Sequence, residues 1–186
     1  LADQATRTSK PMKQTTRTSV PPNTPVIVGV GFHQEHSLDP SECSEPYRLM
    51  VQAVRCAAED AGSGALLRQI ESISVPQGFW EYRNPGKLVA DELGCPAAKI
   101  ILAGLGVLQF MLVSDLCLAI LAGEQKVGVI TGAEAKFRAL RSKITRQPVS
   151  NTEQPADTPP PDVQHAWMEG FCSDLESRRG LRSPVE

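Results

Sequence analysis

Three stretches of this chain hold residue types that could do chemistry. The first is Gly29-Val30-Gly31 followed by His33-Gln-Glu-His36. Glycines after a β-branched run could open a dinucleotide-binding turn. The third glycine of that motif would fall at Gln34, however, and no helix is expected to start there, so tight-turn glycines are the better reading. His33 and His36, with Glu35 between them, could begin a metal site. No third ligand stands near, so they are read as exposed loop histidines, and no metal site is expected. His165 is read as a surface residue of a last helix.

The second group is the cysteines, Cys43, Cys56, Cys95, Cys117 and Cys172. They are odd in number, widely spread and without a Cys-x-x-Cys pair. That pattern argues against a disulfide framework or a zinc site and fits small buried hydrophobes in a reducing compartment. The third stretch, Ala103-Gly-Leu-Gly-Val-Leu-Gln109, is the most informative because it joins an apolar strand to an apolar helix. A helix N-terminus pushed into a protein interior offers unpaired N–H groups and the positive end of a dipole. Both lower a thiol pKa and hold an oxyanion, so this turn is a setting for a nucleophile. Yet the turn carries no thiol. Gly104, Gly106 and Gln109 shape it, and Gln109 is its one hydrogen-bonding side chain.

The elements that must position this turn are legible from periodicity. Residues 25–31 read as a buried first strand, and residues 45–61 as an amphipathic helix. That helix has Leu49, Met50, Ala53, Val54, Ala57, Ala58 and Ala61 inward, Ser44 as cap and Gly62 as stop. Strands follow at 71–75, 99–103 and 126–131, with helices at 85–93, closed by Gly94, and at about 107–122. Alternating strands and helices with apolar strands specify an α/β fold, a largely parallel sheet covered on both faces. The helix at 107–122 is apolar nearly all round, so it is expected to be enclosed on most sides, as between two sheets. Beyond Ala135 a basic segment leads into a Pro-rich linker at 146–161 and a last helix at about 162–177 with Val163, Trp167, Phe171 and Leu175. Residues 1–24 read as a disordered tail, and Met12 is a candidate start.

The totals exclude several classes. The 186 residues permit one domain with a sizeable core. A net charge of −2 with mixed signs gives no nucleic-acid footprint, and 5% aromatics give no base-stacking platform. The run 100–122 is interrupted by Gly104, Gly106 and Asp115. A central Asp costs roughly 2.5–3.5 kcal/mol on insertion, so no membrane span is expected. A cytoplasmic location fits best, with peroxisomal or mitochondrial ones open.

The pieces Pro25-Val-Ile-Val-Gly-Val-Gly31, Ala57-Ala-Glu-Asp-Ala-Gly62, Asn84-Pro-Gly86, Ala122-Gly-Glu124 and Gly132-Ala-Glu-Ala135, in this order and spacing, resemble the N-terminal half of thiolases. Within that superfamily they are most similar to the acetyl-CoA acetyltransferase-like group related to sterol-carrier-protein thiolases. Residues 176–184 look more loosely like the segment that precedes the second half. The resemblance implies a thiolase-like N-terminal α/β domain at 25–145 and, at 162–186, a helix and the start of a connection to a missing C-terminal half. It further implies paired βαβαβαββ halves with buried helices between two sheets. In active members a Cys opens the buried helix and takes the acyl group from acyl-CoA, and a His and a second Cys come from the other half. Here the nucleophile position falls at about Gly106. Some relatives carry a Gly-Gly-Asn-x-Pro-Gln-like turn, of which Gly104 and Gln109 match while the Asn and Pro are absent.

The expected function is that of a thiolase-like acyl-CoA acyltransferase relative that lacks turnover by itself. Binding of CoA esters is expected to be weak or lost, and no cofactor is expected. The alternative is a non-catalytic assembly module forming homo- or hetero-oligomers with thiolase-like chains, for which the strand at 99–103 is the expected pairing edge. An unrelated nucleotide-binding α/β protein is a third reading.

Overall fold

The computed structural model describes residues 20–105, 109–166 and 173–180. Its elements are α1 (Pro46–Asp60), β1 (Ser72–Pro76), α2 (Pro85–Leu93), β2 (Lys99–Ala103), α3 (Gln109–Leu121), β3 (Gly128–Ile130), α4 (Lys136–Thr145), β4 (Val163–His165) and α5 (Asp174–Arg178). The α/β class is as expected: four strands form one sheet in the order β3-β1-β2-β4. Every pairing is parallel, where a mixed sheet was expected. Among the described residues no helix is long and apolar enough to cross a membrane.

Helices cover both faces of the sheet. Parallel strands covered on both sides cannot alternate polar and apolar, and β1 accordingly buries Ser72, Ile73, Ser74 and Val75 alike. On one face α1 and α2 pack Met50, Val51, Val54, Val89, Ala90 and Leu93 against Ile73, Val75 and Ile100. The Asn84-Pro85-Gly86 motif opens α2 with three distinct roles. Asn84 Oδ1 accepts from Lys87 N at 3.0 Å, and Pro85 occupies the first turn, where its missing N–H is harmless. At Gly86 a Cβ would lie 2.4 Å from Ile100 Cγ2, so only glycine lets α2 approach β2 this closely. The helix ends at Gly94, whose φ of 78° is the left-handed stop expected there.

Four expectations are corrected. Residues 25–31 are neither a strand nor buried: Ile27 is 84% exposed, and Val26, Val28 and Val30 also face solvent. No strand among the described residues pairs with them. The segment instead lies across α1, with Val30 N donating to Asp60 Oδ2 at 2.9 Å. Its glycines serve close approach rather than a tight turn: a Cβ at Gly29 would sit 2.1 Å from Ala57 O, and one at Gly31 1.9 Å from Ala53 O. This explains why Ala53, Ala57 and Ala61 form a second small-residue stripe on α1 beside its core-facing stripe.

Second, the cap of α1 is Glu45, not Ser44, because the Ser44 hydroxyl donates to Glu35 Oε1 at 2.7 Å. Third, residues 163–165 are the edge strand β4 rather than the start of a long helix, and the next described helix is α5. The expected helix residues Trp167 and Phe171 lie outside the described residues, as does the tail up to residue 19. The basic segment after Ala135 forms the helix α4 ahead of the Pro-rich stretch.

The fourth correction concerns α3. Leu112 packs on Ala103 with Ile101, Met111 and Ile130, and Leu116 lies over Gly128. That contact covers one flank only. Phe110 is 76% exposed, and Val113, Leu118 and Leu121 also face out. The sheet covers α3 from one side, and no second layer among the described residues covers the other.

The close approach at Gly86 carries a direct test. Gly86→Ala forces a methyl into Ile100, and overpacking of this kind destabilises by about 1–3 kcal/mol. Urea unfolding should therefore show a lower midpoint at unchanged slope, and an unaltered midpoint would contradict the packing described.

Candidate functional site

In an open α/β sheet the loops beyond the carboxyl ends of the strands are where ligands are held. Here those loops are laced together. Gln77 N, after β1, donates to Ala103 O at 2.8 Å. Trp80 Nε1 donates to Ala133 O at 3.1 Å, and Phe79 N to Glu134 Oε1 at 2.7 Å. Lys136 Nζ lies 4.2 Å from the centre of the Phe79 ring, a cation–π contact. Thr131, just after β3, donates from its backbone N to Ser74 O at 3.0 Å.

Beside this edge lies a cleft of about 380 Å³ between the 31–36 loop and residues 132–138, floored by Leu49 and Ala53 of α1. The loop histidines both line it but do not converge. His33 Nε2 is 3.2 Å from Glu35 Oε1, while the exposed His36 stacks on Phe137 with ring centres 4.2 Å apart. Glu35 also accepts from the Ser44 N–H and hydroxyl. Burial pushes its carboxyl up, but these bonds outweigh burial and hold it below the usual carboxylate range. Glu35 is thus the anchor of the loop on the start of α1. Among the described residues no group of three or more His, Cys, Asp or Glu could hold a metal ion.

At the strand–helix turn, the Gly104 N–H donates to His165 O at 2.8 Å, so it is not free for an oxyanion. Gln109 opens α3 and is exposed. Gly106 lies outside the described residues. The sequence has no cysteine between Cys95 and Cys117. Cys95 is buried before β2, where burial pushes its thiol up and keeps it protonated. Cys117 sits mid-way along α3, and Cys43 is buried with its Sγ 3.7 Å from Ser37 O. His165 is in β4 rather than a surface helix, with Nε2 3.9 Å from Asp115 Oδ2 of α3.

Sequence reasoning missed a buried polar centre beneath the cleft. Glu45, buried at the head of α1, receives Tyr82 OH at 2.9 Å, Thr152 N at 2.5 Å and Thr152 Oγ1 at 2.7 Å, with Arg48 Nε at 3.6 Å. Burial raises its carboxyl pKa, and the bonds from Thr152 and Tyr82 together with the Arg48 charge bring it below its ordinary value. Tyr82 is pushed the other way, up, by burial and by the carboxylate it faces. A glutamate directly before Pro46 at a helix start was the one signal of it in the sequence.

No protein-family model matches the chain, and no curated protein matches it. Among solved structures it is similar to a monomeric SCP2-thiolase like protein type 1 from Mycobacterium smegmatis. Identity is 28% and the TM-score 0.48, over 60% of this chain and 24% of that one. The chain therefore spans about a quarter of that protein's length.

The Glu45 centre gives the site its pH dependence. A carboxyl held low in the folded state stabilises fully above the ordinary carboxylate range and loses that contribution as pH falls through its folded pKa. Glu45→Gln should cost about 1–3 kcal/mol at neutral pH through lost charged hydrogen bonds. The gap to wild type should narrow as pH falls below the ordinary carboxylate range and through the lowered folded pKa, where wild-type Glu45 takes up its own proton. Urea midpoints from pH 7 to pH 3 check this, and a gap constant with pH would contradict it.

Proposed function

We propose that this chain is a thiolase-type N-terminal half without turnover of its own, and that it acts by docking the outer face of α3 onto a second α/β half. The observation that carries the reading is the bare flank of α3. Phe110, Val113, Leu118 and Leu121 stand exposed on a helix whose other side already meets the sheet. Burying side chains of this size stabilises by roughly 1.5–3 kcal/mol each, enough to offset much of the entropy lost on association. The ordered motifs that resemble thiolases support a second layer as the cover, since that superfamily encloses this helix between two sheets.

The chemistry supports docking over catalysis. Acyl transfer of the thiolase kind needs a thiolate at the start of this helix, donors for the oxyanion and a base. Residues 104–109 contain no sulfur, and the Gly104 N–H is committed to His165. The buried thiols of Cys43 and Cys95 do not take that place: neither lies at the start of α3, Cys43 Sγ is directed at Ser37 O, and burial holds the Cys95 thiol protonated. CoA esters are accordingly bound weakly or not at all.

Two measurements test this. Purified protein mixed with acetoacetyl-CoA and CoA should consume the thioester no faster than the buffer does; a thiolase-like rate would overturn the reading. Leu118→Glu should leave stability within about 0.5 kcal/mol, as for a surface position, and lower binding of a hydrophobic dye. Loss of the folded state in that variant would mean the face is core and not a docking surface.

A further inference from the structure

The outer edge of β2 was the expected site of pairing with another chain, but β4 of the same molecule occupies it. Ile101, Leu102 and Ala103 face Val163, Gln164 and His165 in parallel register. Lys99 N points inward, to Glu71 O at 2.8 Å, so by alternation the N–H groups of residues 100, 102 and 104 point outward. Two of these donate to the 147–165 segment. Ile100 N donates to Asp162 Oδ2 at 2.6 Å, the carboxylate standing where a strand carbonyl would, and Gly104 N donates to His165 O at 2.8 Å.

The segment leading to β4 is fixed at both helix starts. Thr152 bonds to Glu45 at the cap of α1. Gln154 and the Asn84 backbone exchange two bonds of 2.9 Å, and Asn84 Nδ2 donates to Pro159 O at 3.1 Å. Pro155 opens a turn closed by Thr158 N donating to Pro155 O at 3.0 Å, Pro159–Pro161 restrict the chain after it at low entropic cost, and prolines offer no N–H to a further strand. A three-residue outermost strand after such a run is a poor template for further pairing.

We infer that residues 147–165 are a built-in strap that closes the β2 edge in place of a partner strand, so that strap docking and pairing of β2 with a second copy of this chain exclude each other. The inference goes beyond the α3 reading, since it concerns a different surface. The test is made in a Leu118→Glu background, where association through α3 is suppressed. With the strap intact, sedimentation velocity should show a monomer, and the Leu102 and Gly104 amides should exchange slowly. Thr152→Val combined with Asp162→Ala removes the strap's side-chain bonds to Glu45 and to the β2 edge, leaving those at Asn84. Exchange at those two amides should then rise roughly tenfold or more, as for a local opening, while Ile73 and Val75 of β1 stay protected. A concentration-dependent dimer should form, and an excess of a synthetic peptide spanning residues 159–166 should return it to monomer. If the double variant does not fold, Asp162→Asn alone serves for the same comparison. A released chain that stays monomeric, a dimer indifferent to the peptide, or edge amides already unprotected with the strap intact would each overturn the inference.

Discussion

A helix that is apolar on nearly every side has to be covered on every side, and the sheet of this protein can cover α3 on only one. Leu112 and Leu116 meet Ala103 and Gly128, and these contacts set the orientation of the helix and of the turn leading into it. The opposite flank, with Phe110, Leu118 and Leu121, projects into solvent. An exposed patch of this kind on a folded domain is what the proposed docking rests on. The proposed docking role and the absence of a nucleophile from residues 104–109 thus belong to the same strand–helix junction.

The other face of the molecule is complete. Asn84 uses all four of its polar groups: Oδ1 caps α2, Nδ2 holds Pro159, and its backbone N and O hold Gln154. Glu45, at the head of α1, does similar work for Thr152 and Tyr82. Each helix start therefore holds both its own first turn and the strap that crosses it, so local folding of α1 and α2 and docking of 147–165 reinforce one another. Satisfying buried polar groups in this way matters because each orphaned one would cost about 1–3 kcal/mol.

Much of this fold was legible in the sequence. The end of α2 followed from Gly94, and β1, β2 and β3 from alternating or apolar runs, because local chemistry decides those elements. Residues 25–31 were misread for the opposite reason: the run Val-Ile-Val looks like a strand by propensity, but a strand needs an edge to pair with, and no strand among the described residues pairs with it. The enclosure expected of α3 is not met among the described residues, because an apolar sequence sets a need for cover while what lies across from the helix decides whether that need is satisfied. The Glu45–Tyr82–Thr152 centre, spanning residues 45 to 152, leaves no periodic trace, and β4 is too short to separate by pattern from helix. In the candidate site, the missing thiol was plain from the sequence, while the bond from Gly104 to His165 depends on a partner some sixty positions away and could not be read.

The account depends most on α3 having one buried and one bare flank. Methyl NMR of the purified chain with a soluble paramagnetic probe measures this side chain by side chain. The account predicts strong relaxation enhancement at the methyls of Val113, Leu118 and Leu121 and little at Leu112. Equal protection of all four would mean that the helix is enclosed within this chain, and would contradict it.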